Sequence, residues 1–409
     1  MPEQLVIGVT GPFGAGRSEI SKHLEGKGFE VVRLSDVIRE EAAARCQNAL
    51  DVEGLQNLGD ELRNDYGGDV LARRALEKAS ASKVVLDGVK NPGEVTYLDV
   101  AALFYMIGVD ASRESRKRRV VGVGPGKVSE EEFERVEARD RAEVDAFGVP
   151  VETGQQVDKC VRMSHFLVWN DKVMIAGTGP PSGQDGARQS AIDKVDRMLY
   201  CIDQPQKSHP IDAELLMAQA VVASRGSQCL QRRVGAVVAS TGGRLLAAGR
   251  NNAPAPLKSC REQFGMCNRR MVRDEFLADA AKRFVCASCA GKLSLELKCE
   301  KCGADHRGVL DRFRNLDLCR ALHAEDTALL QMANGSRGTQ GEIHLYTTTF
   351  PCLLCANKVV HAGVQKVIFI DPYPGDDARD ALEGSATRVE HFEGYTLKGL
   401  ERVWGEVSM

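Results

Sequence analysis

The sequence predicts an α/β protein of two domains, and three observations lead there. First, 409 residues exceed what one ordinary core accommodates. Second, residues 1 to about 170 alternate short apolar strands with amphipathic helices, the pattern of a parallel sheet covered on both faces. Third, the pattern changes near residue 207 to a helix, a hairpin, and then strands and helices interrupted by clustered cysteines. The boundaries expected are 1–175 for the first domain, 176–206 for a linker helix and 207–409 for the second domain, with an insert at 268–318.

In the first domain LVIGVT (5–10) reads as a buried strand, GPFGAGRS (11–18) as a glycine-rich turn and SEISKHLEGKG as a helix. FEVVRLS, KVVLDGV and ALFYMIGVD supply further strands. GTGPPSGQDG (177–186) is rich in turn residues, and QSAIDKVDRMLYCI reads as one helix. In the second domain IDAELLMAQAVVASRG is a helix, and VGAVVAS and GRLLAAGRN form a hairpin about Thr241, Gly242 and Gly243. A helix at 323–335, the strand EIHLYTTT, the helix CLLCANKVVHAG and the strand QKVIFI follow.

Composition narrows function. Hydrophobic residues make up 43% and charged residues 27%, an ordinary globular balance. The sequence shows neither a membrane-length apolar run nor a signal-peptide pattern, so a cytoplasmic location and no membrane partner are expected. A net charge of −3 and 5% aromatic residues disfavour a polynucleotide substrate and suit small anionic ligands. In a reducing compartment, clustering among the 13 cysteines points to metal rather than disulfides.

His323-Ala324-Glu325 and Pro351-Cys352-Leu353-Leu354-Cys355 carry the strongest chemistry. Each opens a predicted helix, whose N-terminal field favours thiolates. Cysteines three apart share one helix face and, with His323, give three ligands for a catalytic zinc whose fourth position is left to water. Glu325 is placed to move protons, and H-x-E with P-C-x-x-C is the signature of zinc nucleobase deaminases. The alternative is a helix-capping histidine beside half a structural knuckle, which would not need Glu325.

These motifs, with VGAVVAS, AAGRNNAP and TTTFPCLLCANKVVHAGVQKVIFI, resemble deoxycytidylate deaminases over residues 207–375. The resemblance implies nucleoside contacts from Asn251 and Ala324. It also covers Cys260, Cys267 and Cys319, as a second metal site or as reduced thiols. Arg232 and Arg233 are expected phosphate contacts. Cys286-x-x-Cys289 and Cys299-x-x-Cys302, nine residues apart, predict a structural zinc ribbon inside the insert. Such an insert departs from the family pattern.

Gly11, Gly14, Gly16, Arg17 and Ser18 follow the phosphate-loop spacing G-x-x-x-x-G-K-[ST], with Arg17 in place of lysine. Ser18 and Asp87 would organise Mg²⁺ with a nucleoside triphosphate. Residues 5–170 resemble nucleoside monophosphate kinases through LQNLGDELRNDYGGDVLARRALE and LDGVKNPGEVTYL; Arg113, Arg116, Arg118 and Arg119 fit that family's lid, or a solvated helix face. Because a planar guanidinium does not replace an ammonium, a binding, regulatory or hydrolysing domain is expected over a working kinase.

The fusion resembles bacterial anti-phage dCTP deaminases. It implies a P-loop kinase-like parallel sheet followed by a three-layer cytidine-deaminase-like domain with a zinc-ribbon insert. It further implies dCTP or dCMP as substrate, a regulatory nucleotide and a homo-oligomer. An inhibitory RNA or protein partner is compatible with that family and has no signal in the sequence. The rival functions are an RNA or single-stranded DNA editing deaminase, a nucleotide sensor with a regulatory deaminase fold, and a kinase whose deaminase half is regulatory, against which Arg17 argues.

Overall fold

The computed structural model describes residues 4–46, 51–124, 127–141, 154–171, 183–283, 285–294, 297–306, 319–335, 341–372 and 377–405. The chain divides into two compact units. Met1–Glu214 and Phe392–Met409 form the first, and Leu215–His391 the second. The second unit begins eight residues after the expected start at 207 (215 − 207), and the last segment of the chain belongs to the first unit, not the second.

The first unit holds strands β1 (Leu5–Thr10), β2 (Glu30–Arg33), β3 (Lys83–Asp87), β4 (Leu103–Asp110) and β5 (Phe166–Trp169). The second holds β6 (Gly235–Ser240), β7 (Leu245–Arg250), β8 (Ile343–Thr349), β9 (Val364–Asp371) and β10 (Arg388–His391). The short strand β11 (Gly394–Tyr395) returns to the first.

The first sheet has the order β2-β3-β1-β4-β5-β11. Its first five strands are parallel, and β11 pairs antiparallel with β5. β1, the central strand, is buried from Val6 onward, as expected of a strand covered on both faces. Two apolar layers flank the sheet. One gathers Leu34, Leu62, Leu71, Val84 and Phe104. The other gathers Ile20, Leu24, Ile107, Phe166 and Tyr395. The helix Gly183–Asp203 contributes buried Val195, Met198 and Cys201 to the second layer. The helix expected as a linker is a core element, because its apolar stripe is buried.

The second sheet runs β7-β6-β8-β9-β10. β6 is antiparallel to both β7 and β8, while β8, β9 and β10 are parallel. The hairpin turns at 241–243, where Gly243 takes a φ of 76° and its N–H donates to the Ser240 carbonyl. Helix Ala324–Gly335 packs on β6 and β7. Its approach is so close that a Cβ at Gly249 would stand 2.2 Å from the Ala324 carbonyl oxygen and 2.4 Å from the Ala328 nitrogen. Only glycine allows that contact. Among the described residues no helix is long and apolar enough to cross a membrane.

Candidate deaminase site and phosphate loop

The helix Ala324–Gly335 begins one residue after His323, and Cys352 is the N-cap of the helix Leu353–His361. Two helix starts thus bring His323, Cys352 and Cys355 together, with their ligand atoms all within 4.8 Å of one another. His323 Nδ1 stands 3.2 Å from Cys355 Sγ and 3.4 Å from Cys352 Sγ. Tetrahedral zinc with ordinary Zn–N and Zn–S bonds sets such atoms roughly 3.6 Å apart. The donor set, one imidazole and two thiols, and its spacing fit zinc.

Glu325 is 3% exposed, and burial pushes its carboxyl up to about 7. A buried acid near neutrality suits proton transfer in both directions. Ala324 is fully buried beside it.

Two further contacts were not read from the sequence. Asp326 lies 3.8 Å from Cys355 Sγ through Oδ1 and accepts from Lys358 Nζ at 2.6 Å. The signal was present, because Asp326 and Lys358 each follow a ligand by three residues and so sit one turn deeper on its helix. Cys319 hydrogen-bonds His323, which holds its thiol below the ordinary value. Such partners orient ligands around a metal. Among the described residues Cys260 and Cys267 join no group of metal-ligand atoms.

Asn251 is 8% exposed and its carboxamide is engaged within the turn. Oδ1 accepts from Ser227 Oγ at 2.7 Å and from Val234 N at 2.8 Å, and Nδ2 donates to the Arg232 carbonyl at 2.8 Å. The next residue ties the turn to the His323 segment, since Leu322 N donates to the Asn252 carbonyl at 3.0 Å. Ser227 also lines a cavity of about 470 Å³, together with Arg233, Ser259, Arg261 and Glu262. Arg233 and Arg261 are exposed. Arg232 instead pairs with Asp371 at 3.6 Å, so the two neighbouring arginines separate.

The four insert cysteines also converge, with their sulfurs inside the same 4.8 Å limit. Cys286 and Cys302 sulfurs are 3.6 Å apart, and those of Cys289 and Cys299 3.4 Å. The two knuckles repeat one backbone pattern. Ala290 N bonds Cys286 O and Gly303 N bonds Cys299 O. Both Ala290 and Gly303 take the left-handed conformation, φ 53° and 71°. Ser288 N and Lys301 N each point at the first sulfur of their own knuckle, at 3.4 Å.

In the first unit the carboxyl ends of β1, β3, β4 and β5 gather the phosphate-loop residues, where ligands of open α/β sheets bind. Gly11 is buried, and Gly14 and Gly16 turn with φ of 81° and 101°. A Cβ at Gly16 would meet Asn170 Nδ2 at 2.2 Å. Arg17 NH1 faces Asp87 Oδ1 at 3.8 Å, while Ser18 is exposed. The run at 113–119 divides, with Arg113 and Arg118 exposed and Arg116 buried. Arg116 is 1% exposed and donates to the Phe13 carbonyl, and Arg119 donates to the carbonyls of Gly14 and Ala15 at 3.2 Å. Arg113 pairs with Glu134 and Glu137.

Comparisons with known proteins find two kinds of relative. Over 122 residues, 29% of this chain, the sequence is 38% identical to a UPF0200 protein of Methanothrix thermoacetophila, covering 66% of that protein. It is 27% identical over 213 residues to the deoxycytidylate deaminase of Saccharomyces cerevisiae, 51% of this chain and 54% of that one. The deoxycytidylate deaminase of Schizosaccharomyces pombe is 23% identical over 378 residues, 92% of this chain and 93% of that one. The chain thus spans just under two thirds and about half of the first two relatives. The solved dCMP deaminase of cyanophage S-TIM5, in complex with dCMP and dUMP, aligns over 45% of this chain and 99% of that one, at 24% identity and a TM-score of 0.29. Residues 210–371, which include His323, Glu325, Cys352 and Cys355, match the cytidine and deoxycytidylate deaminase zinc-binding region.

Proposed function

We propose that the second unit hydrolyses the exocyclic amine of deoxycytidine nucleotides, dCMP foremost and dCTP as well. The observation that carries this reading is the convergence of His323, Cys352 and Cys355 beside the buried Glu325. The yeast relatives named deoxycytidylate deaminase support dCMP.

His323, Cys352 and Cys355 would hold the zinc, which when bound supplies a Lewis acid for the attacking water. Glu325 takes a proton from that water as it adds to C4 of cytosine. It delivers that proton to N3, then takes the remaining proton of the C4 hydroxyl and passes it to the amine; as the C4=O bond forms the C4–N bond breaks, and ammonia leaves with the uracil nucleotide as product. Ala324 and the turn at Asn251 bound the base and sugar. Asn251 acts chiefly by shaping that turn, since its carboxamide already serves Ser227, Val234 and Arg232.

Arg233 and Arg261, on the cavity beside the turn, would take the phosphates. Replacing both with alanine should raise KM for dCMP by at least about tenfold, the loss of one or two charge-assisted hydrogen bonds. Turnover of deoxycytidine itself should stay unchanged. Equal losses on nucleotide and nucleoside would refute the assignment.

Cys286, Cys289, Cys299 and Cys302 would hold a second, structural zinc. The paired knuckles and their N–H···S contacts support this. Cys302→Ser should lower zinc content from two ions per chain to one, read by atomic absorption. Zinc content unchanged from wild type would remove the ribbon.

The first unit would bind a nucleoside triphosphate with Mg²⁺ through Gly11, Gly14, Gly16, Arg17, Ser18 and Asp87, as a regulator of the deaminase. Homo-oligomerisation, a cytoplasmic location and a role in draining cytosine deoxynucleotides from a replicating phage belong to the same reading. They rest on the family resemblance.

The test is ammonia release from dCMP, dCTP, cytidine and a cytosine-containing oligonucleotide by the zinc-loaded protein. Turnover of free deoxynucleotides is the expected result. Turnover of the oligonucleotide alone would overturn the reading in favour of an editing enzyme.

A further inference from the structure

The phosphate loop of the first unit departs from its pattern at one position, Arg17, whose guanidinium faces Asp87 rather than the loop. An ion pair with a buried carboxylate lies against the same loop. Lys90 follows the end of β3 by three residues, and its Nζ donates to Asp140 Oδ1 at 2.8 Å and to Gln155 Oε1 at 3.1 Å. Asp140 is fully buried. Its second oxygen, Oδ2, accepts from the backbone N–H of Phe13 at 2.9 Å. Phe13 sits within the glycine-rich turn, so a main-chain donor of the loop is bonded to a carboxylate of the protein itself. Gln56 Nε2 approaches Asp140 Oδ1 at 3.4 Å.

That arrangement has the composition of a liganded phosphate site: a loop amide and an ammonium converge on one anion, and the anion is Asp140. We propose that Asp140 is a resident stand-in for phosphate, and that Lys90 is the ammonium the loop lacks at position 17. A nucleoside polyphosphate entering the site takes the Phe13 amide and the Lys90 ammonium, and Asp140 gives both up. Lys90 leaves one anion for another, so its ammonium keeps a partner, and Asp140 keeps the Gln56 amide at 3.4 Å. Burial pushes the Lys90 ammonium below its ordinary value and Asp140 pulls the other way, so the ammonium depends on having an anion beside it. Arg17, close enough to repel Lys90, keeps its own carboxylate, Asp87. The proposal rests on the reading that this unit binds a nucleotide, and it names the groups that set the affinity.

The experiment is isothermal titration of the full-length, zinc-loaded protein with ATP, dCTP and inorganic pyrophosphate. Lys90→Met should weaken ATP binding by at least about tenfold, as expected for loss of a charge-assisted contact, while Lys90→Arg, which keeps the charge without the compact ammonium, should lose less than Lys90→Met. Asp140→Asn should tighten binding by about threefold or more, because the competing charge is gone. Thermal melts check that each variant folds; if Asp140→Asn does not, the Lys90 pair decides. Wild-type affinity in Lys90→Met, or weaker binding in a folded Asp140→Asn, overturns the proposal while leaving nucleotide binding by the unit intact. A wild-type protein that binds none of the three ligands removes the nucleotide reading, and the proposal with it.

Discussion

Glu325→Gln should abolish deamination while leaving zinc in place. The substitution keeps the shape of the side chain and leaves His323, Cys352 and Cys355 untouched. What it removes is a carboxyl that is 3% exposed and held near neutrality by burial. General acid–base groups contribute roughly 10²–10⁴ in rate. Here one group serves successive transfers: from water, to N3, from the C4 hydroxyl, and to the departing amine. The upper part of that range is expected, with kcat falling about 10³-fold or more and KM for dCMP changing little. Ammonia release and zinc content, measured on the same preparation, check both halves. A variant that keeps a tenth of the wild-type kcat would remove Glu325 from the reaction. A variant that loses both zinc and activity would mean that the carboxylate supports the metal rather than the proton traffic.

Tyr395→Ala should unfold the first unit at markedly lower temperature, although residue 395 is 14 residues from the end of the chain (409 − 395). Tyr395 is fully buried. Its ring meets Phe166 at 4.9 Å and Trp404 at 5.0 Å, both edge-on. Its hydroxyl donates to the Met198 carbonyl at 2.8 Å, and its backbone N–H donates to Glu214 Oε1 at 2.8 Å. Glu214 is itself fully buried and paired bidentately with Arg197. Truncating a buried aromatic of this size costs about 3–5 kcal/mol. For a unit of 232 residues (214 + 18) that lowers Tm by roughly 6–20 °C. Tyr395→Phe, which leaves only the Met198 carbonyl short of a donor, should cost about 1 kcal/mol. Scanning calorimetry resolves the two. A fall below about 2 °C for Tyr395→Ala would mean that the C-terminal segment contributes little to that core.

Much of the candidate site was legible in the sequence because its chemistry is local. A ligand pair spaced three apart on a helix has its geometry set by the helix, so Cys352 and Cys355 needed no tertiary information. The same holds for each C-x-x-C knuckle, for the glycines of the phosphate loop, and for the period-two and period-3.6 patterns that marked the strands and helices. Gly249 was legible only as a strand glycine; that the His323 helix presses on it follows from packing.

Long-range partners decided the rest. Phe13 and Asp140 are 127 residues apart, and Lys90 and Asp140 are 50 apart. Nothing in either local sequence says that a carboxylate will meet a loop amide. Arg232 and Arg233 look equivalent as neighbours, yet one turns to Asp371 and the other to a cavity. The helix at 183–203 carries an apolar stripe that suits a linker or a core, and only the presence of Ile20, Phe166 and Tyr395 against it selects the core. β11 has two residues, too few for any periodic signal. Its place at the edge of the first sheet comes from Tyr395 filling the space between Phe166 and Trp404 and from Glu214 capturing its amide. Local chemistry is written in spacing along the chain. Which distant groups share a buried site is set by the side chains and backbone donors that each leaves to be satisfied, and only the folded core brings those together.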